Sequence, residues 1–290
     1  MLCKKAESGK DISWALLPAY RALEDGHSNV RKNAAAALTI HYVRCDDWEP
    51  VKTFLSSKDW VIKTGSADAL GVAIRVFATD ISPAKNELFL LLGNAREEVR
   101  ESAAKTLTEQ YIVTNYCNSA EELANHKDVV VRKAVADTFR IYSREDRIRK
   151  SFEPCLLKML DDEEPVIRGS AAEAITRFYF HKNAWENIEA VINHVRFDVR
   201  EIVSLAIGEV AEDLEKDDRS LTHIGINLVE QALQKRRRFE PVGTVNNALD
   251  HTIKLLQVMK VKSEGRILRA HGLSPKNAFV KKTAGKLPSC

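Results

Sequence analysis

Between residues 30 and 207 the chain repeats one arrangement of apolar and polar positions. An apolar residue is followed by a basic one, two spacers, a small pair, and a large apolar residue at the seventh position after the basic one. The copies are Val30-Arg31…Ala34-Ala35…Leu38, Ile62-Lys63…Ser66-Ala67…Leu70, Val99-Arg100…Ala103-Ala104…Leu107, Val131-Arg132…Val135-Ala136…Phe139, Ile167-Arg168…Ala171-Ala172…Ile175 and Val199-Arg200…Val203-Ser204…Ile207. The basic anchors at 31, 63, 100, 132, 168 and 200 are therefore 32, 37, 32, 36 and 32 residues apart. A period in this range marks a solenoid, in which each unit packs only on its neighbours.

With the anchor as position zero, the apolar positions are −1, +3 and +7, and +4 is small. This is the i, i+3, i+4, i+7 stripe of an amphipathic helix. Polar or acidic residues precede each motif: Ser28-Asn29, Asp59, Arg96-Glu97, Asp128, Glu163-Glu164 and Asp198. Such residues suit helix starts, where free N–H groups and the helix dipole favour acceptors and negative charge. Each motif is thus predicted to open a long helix. The stretch between motifs has room for one more helix, and the candidates are Trp14–Leu23, Trp48–Leu55, Ala84–Leu92, Ala120–Asn125, Ile148–Leu160, Ala184–Ile192 and Leu221–Leu233. Pro50, Pro83, Pro154 and Pro165 sit where first turns are expected and a missing N–H costs least. No segment alternates as a strand would.

The stretches VRKNAAAAL, VRESAAKTL, VRKAVADTF and VIRGSAAEAI make this unit resemble the HEAT repeat, and more closely the short HEAT-like repeats of the phycobilisome-lyase type. The resemblance covers roughly residues 12–213. It implies an all-α, HEAT-like α-solenoid of about six to seven helical hairpins, wound as a right-handed superhelix with the long helices lining a concave face. The array is expected over residues 1–260, with a divergent capping pair at about 217–260 that includes Val245–Met259. A basic tail is expected over 261–290. Such folds carry many unrelated functions.

At 290 residues, 44% hydrophobic and 29% charged, the composition is that of an ordinary water-soluble chain. No run of about 18 apolar residues is present, so no membrane span is expected. Met1-Leu2-Cys3-Lys4-Lys5 is not followed by the apolar stretch of a secretory signal. Cys3, Cys45, Cys117, Cys155 and Cys290 form no C-x-x-C pair and read as reduced thiols of a cytoplasmic protein. Net charge is +3, but residues 235–290 hold 13 Lys and Arg against 3 acids, +10, which leaves −7 for residues 1–234. A basic end on an acidic body points either to an anionic partner or to a solubilising terminus.

Several residue sets are candidates for function. The ladder Arg31, Lys63, Arg100, Arg132, Arg168 and Arg200 reads as structural. Asp25, Ser57, Asn94, His126, Asp162 and His194 lie six positions before the anchors and are potential partners. The alternative is an anion-binding stripe. The long-helix positions pointing away from the apolar stripe hold Lys32, Lys105, Lys133, Arg177 and Arg140 against Glu101, Glu109, Asp68, Asp137, Glu173, Glu201 and Glu209. That mixture disfavours a long groove for phosphates and favours a protein read by mixed charges. The expected protein-binding residues are Lys32, Asp68, Glu101, Lys105, Lys133, Asp137, Arg140, Glu173 and Arg177.

The run Lys235-Arg236-Arg237-Arg238, with Lys281 and Lys282, is the candidate for binding nucleic acid or another anion; the run could equally be a solvated helix C-terminus. Trp60 and Asp68, eight positions apart on one helix, allow a comparison with HEAT-like DNA alkylation-repair glycosylases, and a lyase-type activity is a further alternative. No nucleotide-binding or catalytic motif occurs, and the eight histidines show no metal-ligand spacing. Neither a catalytic residue nor a cofactor or metal is expected.

Overall fold

A computed structural model of the chain describes residues 2–216 and 223–270. Its described residues are helical with no strand. They divide into two compact units, Met1–Ala174 and Ile175–Cys290.

In the first unit, α1 (Leu2–Glu7) precedes hairpins that pair a short helix with a long one. These are α2 (Leu16–Ala22) with α3 (Ser28–Arg44), α4 (Trp48–Leu55) with α5 (Trp60–Phe77), α6 (Lys85–Leu91) with α7 (Glu97–Thr114) and α8 (Cys117–Ala124) with α9 (Val129–Arg144). Then come α10 (Glu153–Met159) and α11 (Pro165–His181), inside which the unit boundary falls. Long packs on long, α3 against α5, α5 against α7 and α7 against α9, while α4 lies beside α6 and α8 beside α10. In the second unit, α12 (Trp185–Ile192) is followed by α13 (Phe197–Lys216), α14 (His223–Phe239) and α15 (Gly243–Ala270). There α13 packs on α15 and α12 on α14.

The stripe explains the packing. The large residue at +7 is 0% exposed in every copy: Leu38, Leu70, Leu107, Phe139, Ile175 and Ile207. The small pair lets neighbouring long helices approach until backbone meets backbone. At Gly65 an added Cβ would stand 2.5 Å from the Lys32 carbonyl oxygen, so only glycine fits there.

Two turn devices recur. The chain leaves α3, α5, α7, α9 and α11 through a left-handed residue at Asp46, Ala78, Asn115, Asp146 and Asn183. Four of these are Asp or Asn, the types that tolerate that conformation best after glycine. In addition, 3-10 turns at Ser13–Ala15, Ser82–Ala84 and Lys150–Phe152 precede α2, α6 and α10. Those before α6 and α10 absorb the extra residues of the 37- and 36-residue spacings.

Helix bounds differ from the sequence expectation at several places, α10 starting at Glu153 rather than Ile148 and α14 running to Phe239 rather than Leu233 among them. Helix α1 was not anticipated, because Ala6 is its sole buried apolar contribution to the cluster of Ile12, Ala36, Ala37, Ile40 and Ala69. Helix α8 starts at Cys117 rather than Ala120. Helix α15 continues to Ala270, past the expected end of the array at 260, because residues 261–270 contain mostly helix-forming types and no proline.

Candidate protein-interaction surface

The repeated arginines sit at the turn between short and long helix. Nη1 of Arg31, Arg100, Arg132, Arg168 and Arg200 donates to the carbonyl six positions back, on Asp25, Asn94, His126, Asp162 and His194, at 2.7–3.0 Å. The residues six positions back are therefore partners, but through their backbone oxygens. Their side chains do other work. Asp25, Ser57, Asn94, His126, Asp162 and His194 each accept from the backbone N–H two residues on and so fix the turn. The expected side-chain pairing is met only between repeats and only at Asp162, whose carboxylate also takes Arg132 of the preceding hairpin; the other five side chains close their own turns.

The other edge of the guanidinium meets a carboxylate of the following hairpin. Arg31 pairs with Asp59 at 2.6 Å, Arg100 with Asp128 at 2.5 Å, Arg132 with Asp162 at 2.8 Å and Arg200 with Glu240 at 2.7 Å. Asp59 and Asp128 also cap their own helices by accepting from Val61 and Val130. Lys63 makes no such bond among the described residues; the next hairpin offers Arg96 there, whose guanidinium lies 5.4 Å over the Trp60 ring. Glu240 has a fully buried side chain and takes both Arg200 and Arg236. These hydrogen bonds, Arg200 first, outweigh burial and hold its carboxyl down at about 2.

The long-helix face carries a different arrangement. Lys32 of α3 reaches Asp68 of α5 at 2.8 Å. Lys105 pairs with Glu101 at 2.6 Å and Lys133 with Asp137 at 3.1 Å, each one turn apart. Arg140 lies between Asp137 and Glu173, Arg144 donates to Glu173 at 2.7 Å, and Ser170 donates to Asp137 at 2.8 Å. The expected binding residues of the first unit thus form internal pairs, with lysines about 40% exposed. Arg177, in the second unit, was expected to face solvent. It is instead 5% exposed, because Glu209 at 3.3 Å and Asp213 at 3.1 Å draw its guanidinium onto α13.

One strongly perturbed group belongs to this face. Glu109 on α7 is buried and accepts from Arg75 on α5. Burial pushes its carboxyl up to about 7, with Arg75 opposing. The sequence pattern counts Glu109 among the acids at +9 but gives no sign of its depth, which depends on Gly71 of the neighbouring helix.

Three cations of the basic run have a carboxylate partner. Lys235 pairs with Glu189 at 3.0 Å, Arg236 with Glu240 at 2.8 Å and Arg237 with Asp250 at 2.7 Å, while Arg238 is exposed. Lys281 and Lys282 lie outside the described residues. Among the described residues no group of three His, Cys, Asp or Glu side chains could hold a metal, and no helix is long and apolar enough to cross a membrane.

A hairpin with a long-helix arginine bound to its own turn and to the next unit can be compared with known repeats. The family model of the HEAT repeat matches residues 152–181, which span α10 and α11. This chain carries a HEAT repeat. The other hairpins share its anchor and stripe, and the fold is all-α and HEAT-like. Among solved structures, the chain is similar to the Escherichia coli protein YibA, at 18% identity and a TM-score of 0.45, over 87% of this chain and 95% of that one. It is also similar to the complex of CpcE and CpcF of phycocyanin lyase from Nostoc sp. PCC7120, at 15% identity and a TM-score of 0.39, over 83% and 94%. No curated protein sequence matches it.

Proposed function

We propose that the chain is a non-enzymatic scaffold that holds another protein on the long-helix face of its HEAT hairpins. The observation that supports this is the contrast in exposure between its two sets of ion pairs. At the turn edges the guanidinium and carboxylate side chains are 0–27% exposed and locked to backbone carbonyls. On the long-helix face, the pairs Lys32–Asp68 and Lys105–Glu101 are 38–43% exposed on both sides, and Lys133 is 46% exposed over a half-buried Asp137; all are bonded chiefly to other side chains. Exposed pairs of that kind are worth roughly 0–1 kcal/mol. They can exchange an internal partner for an external one at little loss, and mixed charges give selectivity. A stack of helices is ordered before binding, so little entropy is lost on association.

Charge reversal provides the test. Lys32→Glu with Lys105→Glu, and separately Asp68→Lys, should abolish nuclease-resistant capture of a protein partner from lysate of the source, with the melting temperature within a few degrees of the parent. Unchanged capture would remove this face from consideration. Reversal of Arg238, or a cut after residue 270, tests the basic end. A cut after residue 234 does not, because it deletes Glu240 and leaves Arg200 buried without its carboxylate. Nuclease-sensitive capture lost with the basic end would replace the protein-scaffold reading with nucleic-acid binding.

A further inference from the structure

The ion pairs of the long-helix face leave one carboxyl oxygen bare. The Glu109 side chain is 9% exposed; its Oε1 accepts from Arg75, and its Oε2 is buried with no hydrogen-bond partner. The backbone of α5 closes against that oxygen, since a Cβ at Gly71 would stand 2.8 Å from it. Thr106 Oγ1 borders the same gap but is committed to the Ala67 carbonyl at 2.7 Å. From α9, the Tyr142 hydroxyl is also buried without a partner, and its electrostatic coupling to Glu109 is the strongest that it has.

The surrounding charges are accounted for on each side. On α5, Arg75 faces Glu109, and Asp68 repels it while pairing with Lys32. On α7, Lys105 one turn away is held by Glu101. Beyond α9, Arg147 attracts Glu109, lies 4.7 Å over the Tyr142 ring and pairs with Glu145 at 3.2 Å. On α9 itself, Arg140 is engaged by Asp137 and Glu173.

We propose that Arg75 and Glu109 form a proton-operated latch between α5 and α7, closed when the carboxyl is ionised and open when it takes up one proton. Burial disfavours the charged form and a single strong donor favours it, so the two forms lie close in energy near neutral pH. The added proton goes to Oε2, the carboxyl oxygen that Arg75 leaves bare. Arg75 then loses its counter-charge. Its guanidinium, 39% exposed, becomes an uncompensated cation on the long-helix face. Each chain gains one positive charge there, which favours an acidic partner group over a basic one. The latch deepens the scaffold role, and only its use in binding rests on that reading.

The test is a 13C-carboxyl titration of the full chain from pH 5 to 9, with the Arg75 Nε–H resonance followed in parallel. Glu109→Gln identifies the Glu109 signal. The latch requires both resonances to move together with a midpoint of about 7. It further requires Arg75→Gln to raise the midpoint by on the order of one unit. A Glu109 carboxyl that titrates in the ordinary carboxylate range, or an Arg75 signal that does not follow it, overturns the proposal. The titration and partner capture are separate readouts, so the latch can fail while the scaffold stands, and the reverse.

Discussion

The turn edges and the long-helix face of this protein use the same side chains to different ends. At the turn edge an arginine is held by two carbonyls of its own hairpin and by a carboxylate of the next, as Arg132 is by His126, Lys127 and Asp162. On the long-helix face a lysine meets one carboxylate and water, as Lys32 does at Asp68. The first arrangement joins successive hairpins and fixes the turn. The second adds little to folding and remains open to exchange. An arginine ladder in such a repeat is therefore weak evidence for an anion-binding groove until its carbonyl partners are known.

Removing the deepest carboxylate should separate the two arrangements most sharply. Glu240→Ala leaves Arg200 and Arg236 without their counter-charge in a dry site, and urea unfolding should show a loss of about 3–5 kcal/mol. A loss below about 1 kcal/mol would place this rung with the surface pairs. Because the folded pKa of Glu240 is depressed to about 2, its contribution is complete above the unfolded carboxylate range and disappears as pH falls through about 2.

Glu109 has the opposite sign. Its folded pKa is raised from 4.5 to about 7, so the folded state holds the proton more tightly than the unfolded one. The associated stability is complete below pH 4.5 and is lost as pH rises through about 7. Between pH 5 and 8 the parent should lose about 2.5 kcal/mol from this group, and denaturant titrations of Glu109→Gln should lack that slope.

Next in size is Asp128→Ala, which removes a helix cap together with the carboxylate of Arg100. About 2 kcal/mol is expected, measured by thermal unfolding. Asp68→Ala on the open face should change stability by less than about 1 kcal/mol while weakening partner capture. If Asp68→Ala proved the more destabilising of the two, the contrast between edge and face would collapse.

The hairpins were legible because a stripe that buries Leu38, Leu70 and Phe139 completely must recur in the residue pattern as well. The anchors were legible as positions, but the atoms that satisfy them were not. A carbonyl looks the same at every residue, so its use by Arg31 or Arg100 leaves no mark in the sequence. The pairing of Arg236 and Arg237 depends on Glu240 and Asp250, and that of Lys235 on Glu189, 46 positions away. A run of four cations therefore reads as more available than it is. The depth of Glu109 is set by a glycine on another helix, a long-range fact that no local window contains.

The 3-10 turns have a consequence for how the array could be lengthened or shortened. They fall at Ser13, Ser82 and Lys150, in every second hairpin. Anchors two apart are accordingly spaced almost evenly, by 69 and 68 residues for 31, 100 and 168, and by 69 and 68 for 63, 132 and 200. The brick of this wall is a pair of unlike hairpins. Excising a pair, such as residues 64–132, preserves the alternation. Excising one hairpin sets like beside like, so the chain should tolerate changes of length by twos and resist them by ones.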